Sequence, residues 1–276
     1  MHPRRMSSEI DRARVARFID DLGGDEAHTS VGERKLIGLA HGQPSLAIED
    51  DGEVVAVLME TEGTPPTIEV AALGGRDAEA KGLFSWAQRE LGPVRAWSLG
   101  DRWGPVLHRL GFAPERELHR MEVELPVPAV PYVFAETGFE MDHLPDWLTV
   151  NNAAFFGHPE QGAWVVENFL ERTELEWWEP DDLRMAWDGD RLAGFCWTKI
   201  HPNGFGEIYV IGLHPDYHGR GWGKALVMEG LRHLGDARGC PRGMLYVDAA
   251  NAAAKSTYER IGFTSVSIDR SYVWAG

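Results

Sequence analysis

The spacing of hydrophobic residues changes repeatedly between a helical period and a strand-like period along this chain. In the first half, the pattern predicts helices at residues 10–22, 32–39, 78–91 and 105–110, and strands at residues 45–48, 54–61, 67–73, 94–99 and 118–125. In the second half, it predicts helices at residues 144–154, 164–171, 221–234 and 251–261, and strands at residues 183–187, 192–201, 207–213, 244–247 and 263–273. These interleaved elements predict an α/β (α+β) fold in which mixed, mostly antiparallel sheets are flanked by helices.

A proline-rich segment lies between the two halves. Three prolines within residues 126–133 favour a stiff, extended linker. We therefore predict one domain at residues 1–125 and a second domain at residues 134–276.

A short repeated sequence suggests that the two domains share one plan. The last helix of the first half ends in Arg-Leu-Gly-Phe at residues 109–112, and the last helix of the second half ends in Arg-Ile-Gly-Phe at residues 260–263. Glycine at this place is typical of a helix C-cap. The match predicts a tandem arrangement of two similar domains.

The most informative stretch combines a strand, a glycine-rich loop and the start of a helix. The apolar strand Glu207–Leu213 is followed by Pro215 and then by a loop, His218–Lys224, with glycine at alternate positions. Glycine permits tight turns and close approach of the backbone to a ligand, and a helix N-terminus attracts anions. Arg220 and Lys224 add positive charge where a diphosphate could bind. A plain strand-to-helix turn is the alternative, because a glycine-rich loop alone is weak evidence.

The corresponding stretch of the first half lacks these features. Residues 70–79 have no alternating glycines, and they carry Asp77 and Glu79 where a diphosphate would be repelled. We predict that the first domain is degenerate as an anion site. Binding through a different loop remains the alternative.

Composition and charge exclude several classes of protein. The chain has 276 residues and a formal net charge of −16, which argues against non-specific binding to nucleic acids or anionic membranes. Cys196 and Cys240 are its two cysteines, which suggests a reducing, cytoplasmic environment without a disulfide framework. Neither is a good candidate nucleophile. His201, His214 and His218 do not have convincing metal-ligand spacing, so no metal is expected.

The glycine-rich loop resembles the acetyl-CoA-binding motif of the GNAT N-acetyltransferases. That motif is Gln/Arg-x-x-Gly-x-Gly/Ala after an apolar strand, and here it is His218-x-x-Gly221-x-Gly223. Histidine thus replaces the usual first residue. The resemblance implies that acetyl-CoA is the acetyl donor and that backbone N–H groups hold its diphosphate, so the substitution should be tolerated.

Two residues near this motif are candidates for proton transfer. Glu207 is a carboxylate in an otherwise apolar strand, which suits a general base, although it could instead face solvent at the strand edge. The GNAT resemblance implies that Tyr258 protonates the departing thiolate. Asn251 lies seven residues earlier on the same predicted helix, where it would contact the pantetheine or cap the helix.

A more specific resemblance covers nearly all of the second half and only a little of the first. Several segments together resemble the mycothiol synthases, a family of tandem-domain GNAT enzymes, and they are residues 151–162, 197–202, 206–210, 245–248, 251–258 and 267–269. This resemblance implies transfer of acetyl from acetyl-CoA to the cysteinyl amine of cysteinyl-glucosaminyl-inositol. It also implies a small-molecule amine as partner, and we expect a monomer.

The same resemblance implies roles for individual residues. Glu207 and Tyr258 would be the catalytic base and acid. The acetyl-CoA contacts would be Ile211, Gly212, Leu213, His218, Gly219, Arg220, Gly221, Trp222, Gly223, Lys224, Asn251, Ala252, Ala253, Ala254, Lys255 and Ser256. The contacts to the sugar–inositol acceptor would be Glu33, Glu160, Lys199, Glu207 and Tyr246.

Two other functions remain open at this stage. One is a GNAT enzyme that acetylates a different small amine. The other is a non-catalytic acyl-CoA-binding module, which the presence of Glu207 and Tyr258 argues against.

Overall fold

The computed structural model describes residues 2–23, 31–128, 134–158 and 161–276. The strands are β1 (Arg4–Met6), β2 (Ser45–Asp50), β3 (Glu53–Thr61), β4 (Thr67–Ala72), β5 (Val94–Ser98), β6 (Ala113–Glu124), β7 (Ala135–Thr137), β8 (Leu183–Asp188), β9 (Arg191–Ile200), β10 (Gly206–Leu213), β11 (Arg242–Asp248) and β12 (Thr264–Trp274). The helices are α1 (Glu9–Gly23), α2 (Glu33–Ala40), α3 (Asp77–Leu91), α4 (Gly104–Arg109), α5 (Leu144–Ala154), α6 (Val166–Thr173), α7 (Trp222–Arg232) and α8 (Ala252–Ile261). No helix in these ranges is both long and apolar enough to cross a membrane.

The first compact unit contains residues 1–119, 248–250 and 267–276. Its strands follow the order β1, β2, β3, β4, β5 and then the end of β12. β4 and β5 are parallel, whereas β2, β3 and β4 are antiparallel neighbours. One apolar cluster packs α3 and α4 against the sheet, and a second packs α1 and α2 against it.

The second compact unit contains residues 120–247 and 251–266. From the end of β6, its strands follow the order β11, β10, β9, β8 and β7. One face of the sheet is covered by α7 and α8 through an aliphatic cluster that includes Ile208 and Leu226. The opposite face carries an aromatic cluster that includes Trp147, Phe169 and Trp197. These two units confirm the predicted fold class.

The elements agree closely with the hydrophobic pattern, apart from a few differences. β1 and β7 were not predicted, because three residues are too few to show a period. β6 begins five residues earlier than the predicted strand, because its first three residues are exposed and its first five show no apolar alternation. The helix predicted at 221–234 ends as α7 at Arg232 and continues as a π-helical segment, His233–Ala237.

Both Gly-Phe repeats end a helix as expected. Gly111 after α4 and Gly262 after α8 have positive φ angles of 82° and 115°. Phe112 and Phe263 follow them and are each 2% exposed, so each enters the core of its unit. The repeat therefore has a structural cause, namely a turn that returns the chain from the last helix into a strand.

The division into units differs from the predicted domain boundaries. Residues 267–276 belong to the first unit, because Arg270 to Trp274 of β12 pair antiparallel with β5. Residues 120–128 belong to the second unit, where the Leu125 amide donates to the Pro241 carbonyl (3.0 Å). The remainder of the predicted linker, residues 129–133, lies outside the described residues.

Candidate active site

The sheet of the second unit opens between two parallel strands. β10 and β11 pair only at Gly206–Gly243 and Glu207–Met244, although each strand continues for several more residues. On its other side, β10 pairs with β9 along its whole length, with a bulge at Tyr209. Residues 211–213 therefore have one side that no neighbouring strand covers within the described structure. Their backbone groups can bond to an extended ligand placed between the diverging strands.

The loop after β10 has the geometry of an anion-binding turn. Gly219 and Gly221 have φ angles of 75° and 80°, a region that favours glycine. A Cβ added at Gly219, Gly221 or Gly223 would meet no atom within 4 Å, so the described protein leaves the space beside these glycines unfilled. Gly221 is the N-cap of α7, and no side chain caps the N–H groups of the first turn. These N–H groups can therefore donate hydrogen bonds to an anion.

The charges around this loop favour a diphosphate. The first turn of α7 contains no acidic residue, and Arg220 and Lys224 are both exposed. The Arg220 guanidinium lies over the ring of Tyr217 (5.5 Å). The imidazole of His218 turns back to the end of β10, with Nε2 3.2 Å from the Leu213 carbonyl oxygen. The residues present thus fit the diphosphate of a CoA thioester, and His218 connects the loop to the end of β10.

In the described part of the first unit, the parallel strands β4 and β5 also separate beyond Glu69, but a side chain fills part of the gap. β4 and β5 pair from Thr67–Arg95 to Glu69–Trp97, and the next carbonyl on β4, that of Val70, accepts a hydrogen bond from the Trp103 indole (2.7 Å). Trp103 is only 3% exposed. Its side chain thus occupies one backbone acceptor of β4 just beyond the last pair with β5.

The anion loop of the first unit is also altered. Arg76, which precedes α3, pairs with Asp50 (2.6 Å) and with Glu79 (3.1 Å), so its charge is already compensated. Asp77 and Glu79 lie in the first turn of α3, where they oppose a bound anion.

Glu207 lies inside the site and does not face bulk solvent. Its residue is 8% exposed, and its Oε2 is 2.8 Å from Nε2 of His201. His201 was not singled out as a functional residue by the sequence. The available signal was the short β9–β10 connection, which returns the chain so that residues on either side of the turn meet.

Three of the predicted acceptor contacts share one face of the sheet. Lys199 is the direct partner of Glu207 across β9 and β10. Tyr246 lies two residues after Met244, the partner of Glu207 on β11, so it projects to the same face. Lys199 Nζ lies 4.9 Å from the ring centre of Trp177 and 5.6 Å from that of Tyr209. A cation, a carboxylate and a phenol thus surround this side of the opening.

Tyr258 lies on the opposite face, in the aliphatic cluster with Ile208 and Leu226. It is 9% exposed, and burial raises its pKa to about 12. The phenol is therefore protonated at neutral pH and can donate a proton. Asn251 caps α8, since its Oδ1 accepts from the Ala254 amide (3.2 Å), and the predicted CoA contacts at 252–256 form the first turns of that helix.

Two asparagines of α5 form hydrogen bonds with residues that follow this helix. Buried Asn151 donates to the Gln161 carbonyl (3.0 Å), and Asn152 donates to the Trp164 carbonyl (2.9 Å). The Trp164 amide donates back to Asn152 Oδ1 (3.0 Å). The pair thus attaches the segment after α5 to that helix. Glu160 itself lies outside the described residues.

The structure also locates Glu33 and the two cysteines. Glu33 is the first residue of α2 in the first unit. Cys196 and Cys240 are buried free thiols, and burial raises the pKa of each, so neither is an activated nucleophile.

Comparison with known proteins agrees with this arrangement. The model of the acetyltransferase (GNAT) family matches residues 144–263. A mycothiol acetyltransferase of Thermomonospora curvata is 35% identical over 257 residues, which cover 88% of this chain and 86% of that protein. Two solved structures share the fold over nearly the whole of both chains. A GCN5-related N-acetyltransferase from Sphaerobacter thermophilus has a TM-score of 0.72 at 22% identity, with 99% and 95% of the two chains covered. A tandem GNAT protein from the clavulanic acid biosynthesis pathway has a TM-score of 0.72 at 11% identity, with 100% and 99% covered.

The strand divergence, the glycine-rich loop and these matches define a GNAT acetyltransferase with acetyl-CoA as its acetyl donor. Within that class, the sequence identity to these relatives and the share of the chain that it covers show that the chain belongs to the mycothiol acetyltransferase family.

Proposed function

We propose that this enzyme acetylates the cysteinyl amine of cysteinyl-glucosaminyl-inositol, the reaction that completes mycothiol. The relatives named mycothiol acetyltransferase support this acceptor. The observation that carries the proposal is the shared face of Lys199, Glu207 and Tyr246 beside the opening between β10 and β11. Carboxylate, ammonium and phenol groups suit a polyhydroxylated acceptor that also carries an amine.

In this proposal, acetyl-CoA is held by three regions of the second unit. Residues 211–213 bond through their backbone to the acetyl and pantetheine groups, and backbone N–H groups of 218–224 hold the diphosphate. Residues 251–256 line the rest of the donor. Acetyl-CoA supplies the activated acetyl group. Main-chain N–H groups of β10 are suited to stabilising charge that develops on the acetyl oxygen.

Proton transfer is assigned to residues on the two faces of the sheet. Glu207 accepts the proton that the ammonium of the acceptor must lose before its nitrogen can attack. Tyr258 donates the proton that the departing thiolate requires, since its raised pKa keeps the phenol protonated. Glu33, Glu160, Lys199 and Tyr246 bind the sugar–inositol part of the acceptor. A monomer in the cytoplasm remains our expectation for the protein's state and location.

The test of this proposal is the Glu207→Gln variant. Loss of a general base lowers turnover by about 10²- to 10⁴-fold, while the KM for acetyl-CoA should stay unchanged. Acetylated product is measured by chromatography and mass spectrometry, because the acceptor has its own thiol. Glu259→Gln, an exposed carboxylate on α8, is the matched control. Unchanged turnover of Glu207→Gln would refute the base assignment.

The acceptor itself is tested by comparing cysteinyl-glucosaminyl-inositol with free cysteine and with other small amines. We expect the highest kcat/KM for cysteinyl-glucosaminyl-inositol. Preference for another amine would refute the proposed acceptor and would indicate a GNAT enzyme with a different substrate. Binding of acetyl-CoA without turnover of any amine would indicate an acyl-CoA-binding module.

A further inference from the structure

The turn between β9 and β10 fixes the backbone of His201. The His201 amide donates to the Phe205 carbonyl (2.8 Å), and the Gly204 amide donates to the His201 carbonyl (2.8 Å). Gly204 has a φ of 81°, which lets the five-residue turn close. The first β9–β10 pair, Ile200–Gly206, follows directly. His201 therefore has a defined backbone position next to the strand that carries Glu207.

The side chain of His201 makes one specific contact. Its Nε2 is 2.8 Å from Oε2 of Glu207, and the two side chains are 13% and 10% exposed. A carboxylate can only accept, so Nε2 carries the hydrogen. Partial removal from water strengthens such a charge-assisted hydrogen bond.

This contact divides the two carboxylate oxygens of Glu207 between two tasks. Oε2 accepts from His201, whereas Oε1 has no hydrogen-bond partner within the described structure. A carboxylate held through one oxygen keeps a fixed orientation, so its other oxygen can point at a substrate proton. We propose that His201 is a positioning residue that orients Glu207 for proton abstraction, an inference that rests on the proposed role of Glu207 as base.

The experiment compares variants of the full-length protein with acetyl-CoA and cysteinyl-glucosaminyl-inositol as substrates. Loss of a hydrogen bond to a charged group predicts that His201→Ala lowers kcat roughly ten- to hundred-fold, with the KM for acetyl-CoA unchanged. His201→Gln keeps an N–H donor at a similar distance from the backbone, and it should recover much of this loss. Asn203→Ala is the matched control, because Asn203 Oδ1 accepts from the Phe205 amide in the same turn but does not contact Glu207. It should retain nearly wild-type turnover.

A double-mutant cycle with Glu207→Gln decides how His201 acts. If His201 works through Glu207, adding His201→Ala to Glu207→Gln causes no further loss of turnover. An equal loss in both backgrounds would overturn the proposal, as would full activity of His201→Ala or an equal loss in Asn203→Ala. A strongly impaired Glu207→Gln with an unaffected His201→Ala would refute the role of His201 alone. Full activity of Glu207→Gln would refute the base assignment and, with it, the positioning role.

Discussion

Replacing Gly221 with alanine tests the proposed diphosphate loop without removing any charge. Gly221 is the N-cap of α7 and has a φ of 80°, and a Cβ at this position meets no atom within 4 Å. The substitution therefore adds backbone strain but no steric clash. An L-residue in this conformation costs about 1–2 kcal/mol relative to glycine. If the free loop relaxes to relieve this strain and acetyl-CoA binding requires the original conformation, affinity should fall roughly five- to thirty-fold, since about 1.4 kcal/mol corresponds to a factor of ten.

Gly189 provides a control with the same strain at another place in the second unit. It has a φ of 60°, lies in the turn between β8 and β9, and also has no atom within 4 Å of an added Cβ. Gly189→Ala should lower the free energy of unfolding by a similar amount but leave the Kd for CoA unchanged. Calorimetric titration measures the two affinities, and denaturant unfolding measures the two stabilities. Unchanged affinity of Gly221→Ala, or an equal loss in Gly189→Ala, would refute the loop assignment.

Further predictions concern Tyr258, the number of CoA sites and Glu33. Tyr258→Phe should lower turnover by about 10²-fold with little change in acetyl-CoA affinity. Burial raises the pKa of Tyr258 from 10 to about 12, so this residue makes the native state lose stability as pH rises from 10 to 12. Unfolding experiments should show a smaller loss in the Phe variant, where Tyr272, whose pKa is also raised to about 12, still contributes. Titration with CoA should give one site per chain because Trp103 occupies the Val70 carbonyl in the first unit, and a stoichiometry near two would contradict this. Glu33→Ala should raise the KM of the acceptor about ten-fold or more but leave the KM of acetyl-CoA unchanged. Steady-state kinetics with both substrates measures the two values, and an unchanged KM of the acceptor would contradict this prediction.

The parts of the fold that follow from local sequence are those with a clear period. The strand at 207–213 and the helix at 251–261 were predicted within one residue of β10 and α8, because their apolar residues fix both type and length. The sequence also predicts the strand at 263–273, but it does not predict which strand pairs with it. Its end pairs with β5, which is far away in sequence, and no local pattern specifies such a contact.

The candidate site shows the same limit. A carboxylate in an apolar strand was visible, and Glu207 is indeed buried. The sequence assigns no role to His201, because its contact with Glu207 depends on the register of the β9–β10 turn and not on its immediate neighbours. The hydrogen bond from the Trp103 indole to the Val70 carbonyl could not be predicted from the sequence either, since it joins residues that are far apart along the chain.

The return of β12 to the first unit has a consequence for synthesis on the ribosome. Tyr272 is 1% exposed in the core of that unit, and its hydroxyl donates to Asp101 Oδ1 (2.6 Å). The Gly100 amide is likewise held by Asp269 Oδ1 (2.7 Å). The nascent first unit therefore lacks one strand and part of its core until residues 267–276 leave the exit tunnel. The ribosome must therefore translate the whole second unit before the sheet of the first unit can be completed.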